Sequence, residues 1–241
     1  MYLRPYRDPD LKTIHSWIDS ERTLRIWSGP RHPVFPFPAG ELGAVYEGYR
    51  TDLVNFPLVG WDEQGLAGAV TLRYTAPRTL RLVNVITDHT RRGQGLGREF
   101  VGLALKMCFE LMDAETVSLG VLAENERAVR CYRAAGFSPL PEEEWITHTF
   151  CGRDWLCMEM AISREVYFER KKADGGAGRF KTAPKAAAFG ANGLHPAAAH
   201  TLRVHVCRMR SIFVQVHALA ENGFIPFRRY SDETLRVFLM S

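Results

Sequence analysis

The sequence predicts an α/β layer fold built on a mixed, mostly antiparallel sheet of about seven strands, with a basic C-terminal extension. Three observations predict it. Short runs rich in β-branched and aromatic residues recur between good turn sequences. Two helix-like segments alternate with such runs in the middle of the chain. One run also passes into a helix through a glycine-rich turn, Arg91-Arg92-Gly93-Gln94-Gly95-Leu96-Gly97. Helices layered on a mixed sheet bury elements with these two periodicities.

Residues 2–6 read as a short strand, followed by Asp8-Pro9, a capping residue with proline at the first helical position. Leu11, Ile14 and Ile18 have the spacing of one buried helix face. A second helical piece near 20–27 leads into 29–38, where Pro30, Pro33, Pro36 and Pro38 exclude regular helix and make a stiff loop bearing Phe35 and Phe37. A helix is expected at 41–49. Strands at 55–61, 66–75 and 79–87 form a meander joined by Asp62-Glu63-Gln64-Gly65 and Ala76-Pro77-Arg78. In the third of these the alternation Leu80, Leu82 slips to Val83, Val85, as a bulge would make it do; a strand buried on both faces would look the same. Next come a helix over 99–112, a strand over 116–122 and a helix over 125–135 that stops at Gly136. Strands at 144–150 and 153–161 close the series across Cys151-Gly152.

The 241 residues allow one large domain, or a domain with an appendage. No apolar run is long enough to span a bilayer, and the opening residues show no signal-peptide pattern. Five cysteines without CxxC spacing point to reduced thiols in a cytoplasmic protein, and none invites a metal. Residues 1–163 hold 18 Lys/Arg against 21 Asp/Glu, and residues 164–241 hold 13 against 6, so the basic balance belongs to the tail. Residues 164–200, rich in Ala, Gly, Pro and Lys, read as a basic linker. Residues 201–241 read as a small α/β segment. There Gly223-Phe224-Ile225-Pro226 echoes Gly136-Phe137-Ser138-Pro139, as a degenerate second half of the first domain would, or by chance. Charge runs are usually just solvated, so nucleic acid is not the expected partner.

The glycine turn is an anion site in outline, because glycine lets a backbone approach a ligand and a helix N-terminus presents unpaired N–H groups. Gly97-Arg98-Glu99 does not supply the Gly-Lys-Ser/Thr of a P-loop, and Gly93, Gly95 and Gly97 run as GxGxG, not as the dinucleotide GxGxxG. Arg92, Gly95 and Gly97 do fit the pattern Arg/Gln-x-x-Gly-x-Gly/Ala. Downstream, Asn125, Ala128, Tyr132, Gly136 and Phe137 reproduce N-x-x-A-x-x-x-Y-x-x-x-G-F, with Asn125 and Tyr132 two turns apart on one helix face. In both segments the chain resembles the GNAT acetyltransferases, over about residues 2–163. Its 2–27 opening is nearest the ribosomal-protein N-terminal acetyltransferase branch.

The resemblance implies a GNAT fold with a splay between the fourth and fifth strands, acetyl-coenzyme A as co-substrate, and transfer of the acetyl group to a primary amine by direct attack. The acceptor is then a small molecule or a protein N-terminus. A mildly acidic domain is compatible with a cationic amine, and a homodimer is admitted. Coenzyme contacts are implied for Arg92, Gly93, Gln94, Gly95, Leu96, Gly97, Arg98, Asn125, Ala128 and Tyr132. Backbone N–H groups of Ile86 and Thr87 are implied as an oxyanion hole, and Tyr132 as the acid that protonates the leaving thiolate. Trp27, Phe35, Phe37, Tyr46 and Tyr49 are the implied acceptor-pocket aromatics. No base is named: 80–87 contains no carboxylate, and Asp88, Glu47, His89 and His148 qualify only by location. Thr87-Asp88-His89 also stands where relatives carry Val-x-Pro. The alternative from another class is a non-catalytic acyl-coenzyme A binding protein with a regulatory or assembly role.

Overall fold

The computed structural model describes residues 1–32, 34–52 and 54–174. The expected segment at 201–241, its echo at 223–226 and most of the expected linker lie outside the described residues. The folded unit that carries the site is Met1–Phe168.

Strand β1 (Tyr2–Pro5) pairs antiparallel with β2 (Asn55–Asp62), which continues into the meander β3 (Gly65–Ala76) and β4 (Thr79–Thr87). β5 (Thr116–Leu122) joins β4 in parallel and β8 (Arg153–Ser163) antiparallel. β8 also pairs the two-residue β6 (Ser138–Pro139) and β7 (Ile146–Phe150). One eight-stranded sheet results, mostly antiparallel as expected, with the short β6 in addition to the expected strands.

Helices α1 (Asp10–Ser16), α2 (Glu21–Ser28) and α3 (Ala39–Thr51) cover one face. Their core joins Ile14, Leu24, Trp27, Leu42 and Tyr46 to Val59 of β2, Ala69 of β3 and Ile86 of β4. α2 starts on Ser20, whose hydroxyl accepts the Thr23 N–H. The entry to α1 differs from the expected cap. Asp8 accepts a hydrogen bond from the Tyr6 hydroxyl, and the helix begins at Asp10. Asp10 accepts from the Arg7 N–H and takes both ends of the buried Arg4 guanidinium at 2.7 Å. A side-chain partner two residues on decided that boundary.

Side chains alternate along a strand, so Gly60 and Gly68, neighbours of Val59 and Ala69, face the opposite way. There α4 (Leu96–Lys106) lays Phe100 against both: a Cβ at Gly60 would come within 2.7 Å of that ring. The expected helix over 99–112 is divided, α4 giving way to a five-residue π turn, Met107–Leu111. α5 (Glu126–Ala135) starts on Asn125, whose side chain accepts the Ala128 N–H, and ends at Gly136 with φ of 106°.

The chain does not loosen at residue 164. Arg164–Asp174 forms α6. The Arg164 guanidinium donates to the carbonyls of Phe109 and Ala114, and Tyr167 stacks on Phe109 at 4.7 Å while its hydroxyl donates to Glu110. The linker composition from Lys171 onward masked two helical turns that precede it.

Candidate active site

β4 and β5 pair at only three positions, Thr79↔Thr116, Leu80↔Val117 and Arg81↔Ser118. Beyond Arg81 they part, while β5 stays paired to β8 as far as Leu122↔Cys157. The unpaired stretch of β4 therefore lines a slot. It contains the bulge: Ala69 faces Ile86 but Thr71 faces Val83, so Asn84 and Val85 together oppose Val70, with Asn84 at a φ of 54°. Leu82 stands opposite Leu72 on the α4 face, whereas Ile86 joins the core under α1, α2 and α3. That change of face is what a bulge produces and a strand buried on both faces does not.

The slot opens at an ion pair. Arg81, the last β4 residue paired to β5, forks onto Glu159 of β8 at 2.6 and 2.8 Å, passing over Gly120 of β5. A Cβ at Gly120 would lie 2.7 Å from Arg81 Nη2 and 2.8 Å from Glu159 Oε1. Glu159 is buried and Arg81 partly so. Gly120→Ala should therefore force the pair apart and lower stability by about 3 kcal/mol, near the lower end for a broken buried pair. Urea unfolding of this variant beside Glu159→Gln checks it: similar losses are expected, and a Gly120→Ala protein as stable as the parent would refute the arrangement.

Of the two expected oxyanion donors, the geometry leaves one at the slot. The Asp88 N–H donates to the Ala67 carbonyl, and amides alternate along an antiparallel strand. Thr87 therefore turns its N–H toward the slot and Ile86 turns its own toward β3. The sequence could not give this phase, which the bulge sets.

Past Thr87 the chain makes a short 3-10 turn, His89–Arg91, and then the glycine turn. Arg91 is tied to Asp62, while Arg92, Gly93, Gln94 and Gly95 are exposed. Gly95 sits at the N-cap of α4 with φ of 77°, where a Cβ would be strained. No side chain caps α4, whereas Ser20 and Asn125 cap α2 and α5. Its first amides stay available to an anion, with Arg92 and Arg98 exposed beside them and Leu96 buried as the anchor. α4 and α5 meet where a Cβ on Gly97 would stand 3.3 Å from Cys131 Sγ. The two helices thus flank the ends of the parting strands. Ala128 is half-buried on the first turn of α5. Tyr132 is buried edge-on to Phe137, with ring centroids 5.9 Å apart. Its hydroxyl makes no hydrogen bond among the described residues. Burial first, and Cys131 second, push its pKa above the ordinary phenol value.

The aromatic candidates divide. Trp27 is buried and donates its indole N–H to the Asn84 carbonyl on the bulge, at 3.1 Å. The Tyr49 hydroxyl reaches the same bulge, accepting a hydrogen bond from Asn84 Nδ2 at 3.0 Å. Phe37 and Tyr46 are packed in the α1–α3 core, and Phe35 is exposed at a cis Phe35-Pro36 bond. Of the possible bases, Asp88 accepts the N–H and hydroxyl of Thr90, and His89 lies 3.5 Å from the Asp19 carboxylate. Glu47 is exposed on α3 and His148 half-buried on β7. None is assigned. Sequence reasoning missed Arg81 and Glu159. Arg81 and Glu159 were legible only as alternate strand positions, and nothing in the letters joined them.

A splayed parallel pair ending at an uncapped, glycine-entered helix is the architecture of an acyltransferase that uses coenzyme A. The model of the acetyltransferase (GNAT) family matches residues 14–137, and the chain belongs to that family, enzymes that take the acetyl group from acetyl-coenzyme A. Spermidine N(1)-acetyltransferase of Escherichia coli K12 is 25% identical over 178 residues, 72% of this chain and 91% of that protein. Among solved structures, spermidine N-acetyltransferase from Vibrio cholerae in complex with CoA and spermine is 25% identical, with a TM-score of 0.58 over 69% of this chain and 96% of that one. A point mutant of the Vibrio enzyme is 26% identical, with a TM-score of 0.55 over 71% and 99%. No helix among the described residues is long and apolar enough to cross a membrane.

Proposed function

We propose that this acetyltransferase acts on the primary amine of a small molecule, by direct attack on acetyl-coenzyme A bound along the β4–β5 slot. The observation that carries the reading is the slot itself, which begins at the Arg81–Glu159 pair and runs to the uncapped start of α4. The pyrophosphate rests on the first amides of α4 with Arg92 and Arg98 nearby, and the pantetheine arm adds to the free edge of β4. Gly93, Gln94, Gly95, Leu96 and Gly97 shape that turn, and Asn125 and Ala128 form the facing first turn of α5.

The amine lone pair attacks the thioester carbon, the C–N bond forms, and the negative charge on oxygen meets the Thr87 N–H. The C–S bond then breaks. Tyr132 gives its proton to the departing sulfur and takes one back from solvent, and the ammonium proton leaves through water to solvent. The names of the relatives support a small-molecule acceptor in preference to a protein N-terminus. A cytoplasmic setting fits the five cysteines without CxxC spacing.

Thiol release from acetyl-coenzyme A is the test, read with and without a panel of small primary amines and a set of N-terminal peptides. Release that depends on a small amine is expected. Coenzyme binding with no release would favour the non-catalytic alternative, and release with peptides alone would move the acceptor to a protein N-terminus.

A further inference from the structure

The wall of the slot under α2 and α3 is cationic. Ala69, Thr71 and Arg73 alternate on one face of β3, and Ala69 belongs to the α1–α3 core, so Arg73 and its cross-strand partner Arg81 face that side. Arg31 approaches from the turn after α2, donating Nη2 to Asn84 Oδ1 at 2.8 Å and Nε to the Ser28 carbonyl at 2.9 Å. Arginine can only donate, which fixes the amide orientation and turns Asn84 Nδ2 toward the Tyr49 hydroxyl. Arg73 lies over the Tyr49 ring at 5.9 Å and donates Nε to Asn55. Asn84, Tyr49 and the two guanidiniums thus form one connected cluster on the bulge, beyond the point where β4 leaves β5.

The charges in this cluster do not cancel. Glu159 is taken up on both oxygens by Arg81. Asp52 reaches Arg73 only through the amide of Asn55. Arg31 and Arg73 have no carboxylate partner among the described residues, and Arg31 Nη1 and both Nη atoms of Arg73 make no hydrogen bond there. Burial of the Arg31 guanidinium, then repulsion from Arg73 and Arg81 against attraction from Tyr49, holds its pKa below the ordinary value.

On the reading that this slot is the acetyl-transfer site, we infer that the acceptor is a primary amine carrying a carboxylate, held by Arg31 and Arg73 at the two ends of the Asn84–Tyr49 pair. A guanidinium fork matches a carboxylate in shape and charge, and it is unsuited to the polycation named for the relatives. The mildly acidic balance of residues 1–163 suggests a cationic acceptor, but recognition follows the local field, and here that field is positive.

The test uses the intact protein saturated with acetyl-coenzyme A and reads thiol release with five amines: β-alanine, its carboxamide, 2-aminoethyl phosphate, propylamine and spermidine. β-Alanine should exceed its carboxamide, propylamine and spermidine in kcat/KM by about 10-fold or more, as loss of hydrogen bonds to a charged group implies. Arg31→Gln and Arg73→Gln should each raise KM for β-alanine about 10- to 100-fold and leave KM for acetyl-coenzyme A in place. Spermidine or propylamine as the best substrate would overturn the inference. A clear lead for 2-aminoethyl phosphate would overturn the carboxylate assignment. No release with any of the five, in a protein that binds acetyl-coenzyme A, would overturn the inference together with the small-amine reading beneath it. If the arginine variants fail to fold, the comparison of β-alanine with its carboxamide on the unaltered protein still decides.

Discussion

Tyr132→Phe should lower kcat by about 100-fold or more while leaving the affinity for acetyl-coenzyme A and the melting temperature nearly unchanged, a range typical of a lost general acid. The hydroxyl makes no hydrogen bond among the described residues, so its removal costs the fold little. The ring remains to pack against Phe137. The pH profile sharpens the test. Burial raises the phenol above its ordinary value near 10, so the acid keeps its proton through the range in which the acceptor amine loses its own. Activity of the parent protein should therefore rise with pH and show no alkaline fall below about pH 10. Calorimetric binding of acetyl-coenzyme A, steady-state kinetics from pH 7 to 10 and a thermal melt check the three parts. An unchanged kcat would remove Tyr132 from the proton path and leave it a packing residue.

The second large effect is expected at Gly95. This residue has a left-handed backbone at the start of α4, and nothing lies within 4 Å of where a Cβ would be. Gly95→Ala should cost about 1–2 kcal/mol of stability through backbone strain and retain measurable coenzyme binding. Gly95→Glu adds the same strain together with a carboxylate in the space where the proposed pyrophosphate would rest. That charge competes for the helix amides, and binding of acetyl-coenzyme A should fall at least about 100-fold relative to the Ala variant. Titration calorimetry on the pair separates strain from blockade. Equal affinities would mean the phosphates do not rest on α4.

The two motifs that imply acetyl-coenzyme A are local, which is why they were legible. A glycine turn into a helix, and an Asn and a Tyr seven residues apart, are fixed by spacing along one element and by the dihedrals each residue tolerates. The slip in the alternation after Leu82 was visible in the same way, but a strand buried on both faces would show it too, and the pairing with β3 decided for the bulge. The boundary at residue 164 was not, because the linker composition that begins at Lys171 outweighed two apolar contacts of Tyr167 and Phe168.

The sequence alone therefore determined the layer architecture, the glycine turn into a helix and the Asn125–Tyr132 spacing on one helix face, because each rests on periodicity or local backbone preference. Only the tertiary structure decided which amide faces the slot, that Arg81 and Glu159 meet across Gly120, and that Arg31 and Arg73 gather around Asn84 and Tyr49. Those groups come from the turn after α2 and from α3, β3, β4, β5 and β8, far apart in the chain, and the charge of a site belongs to the residues the fold assembles there.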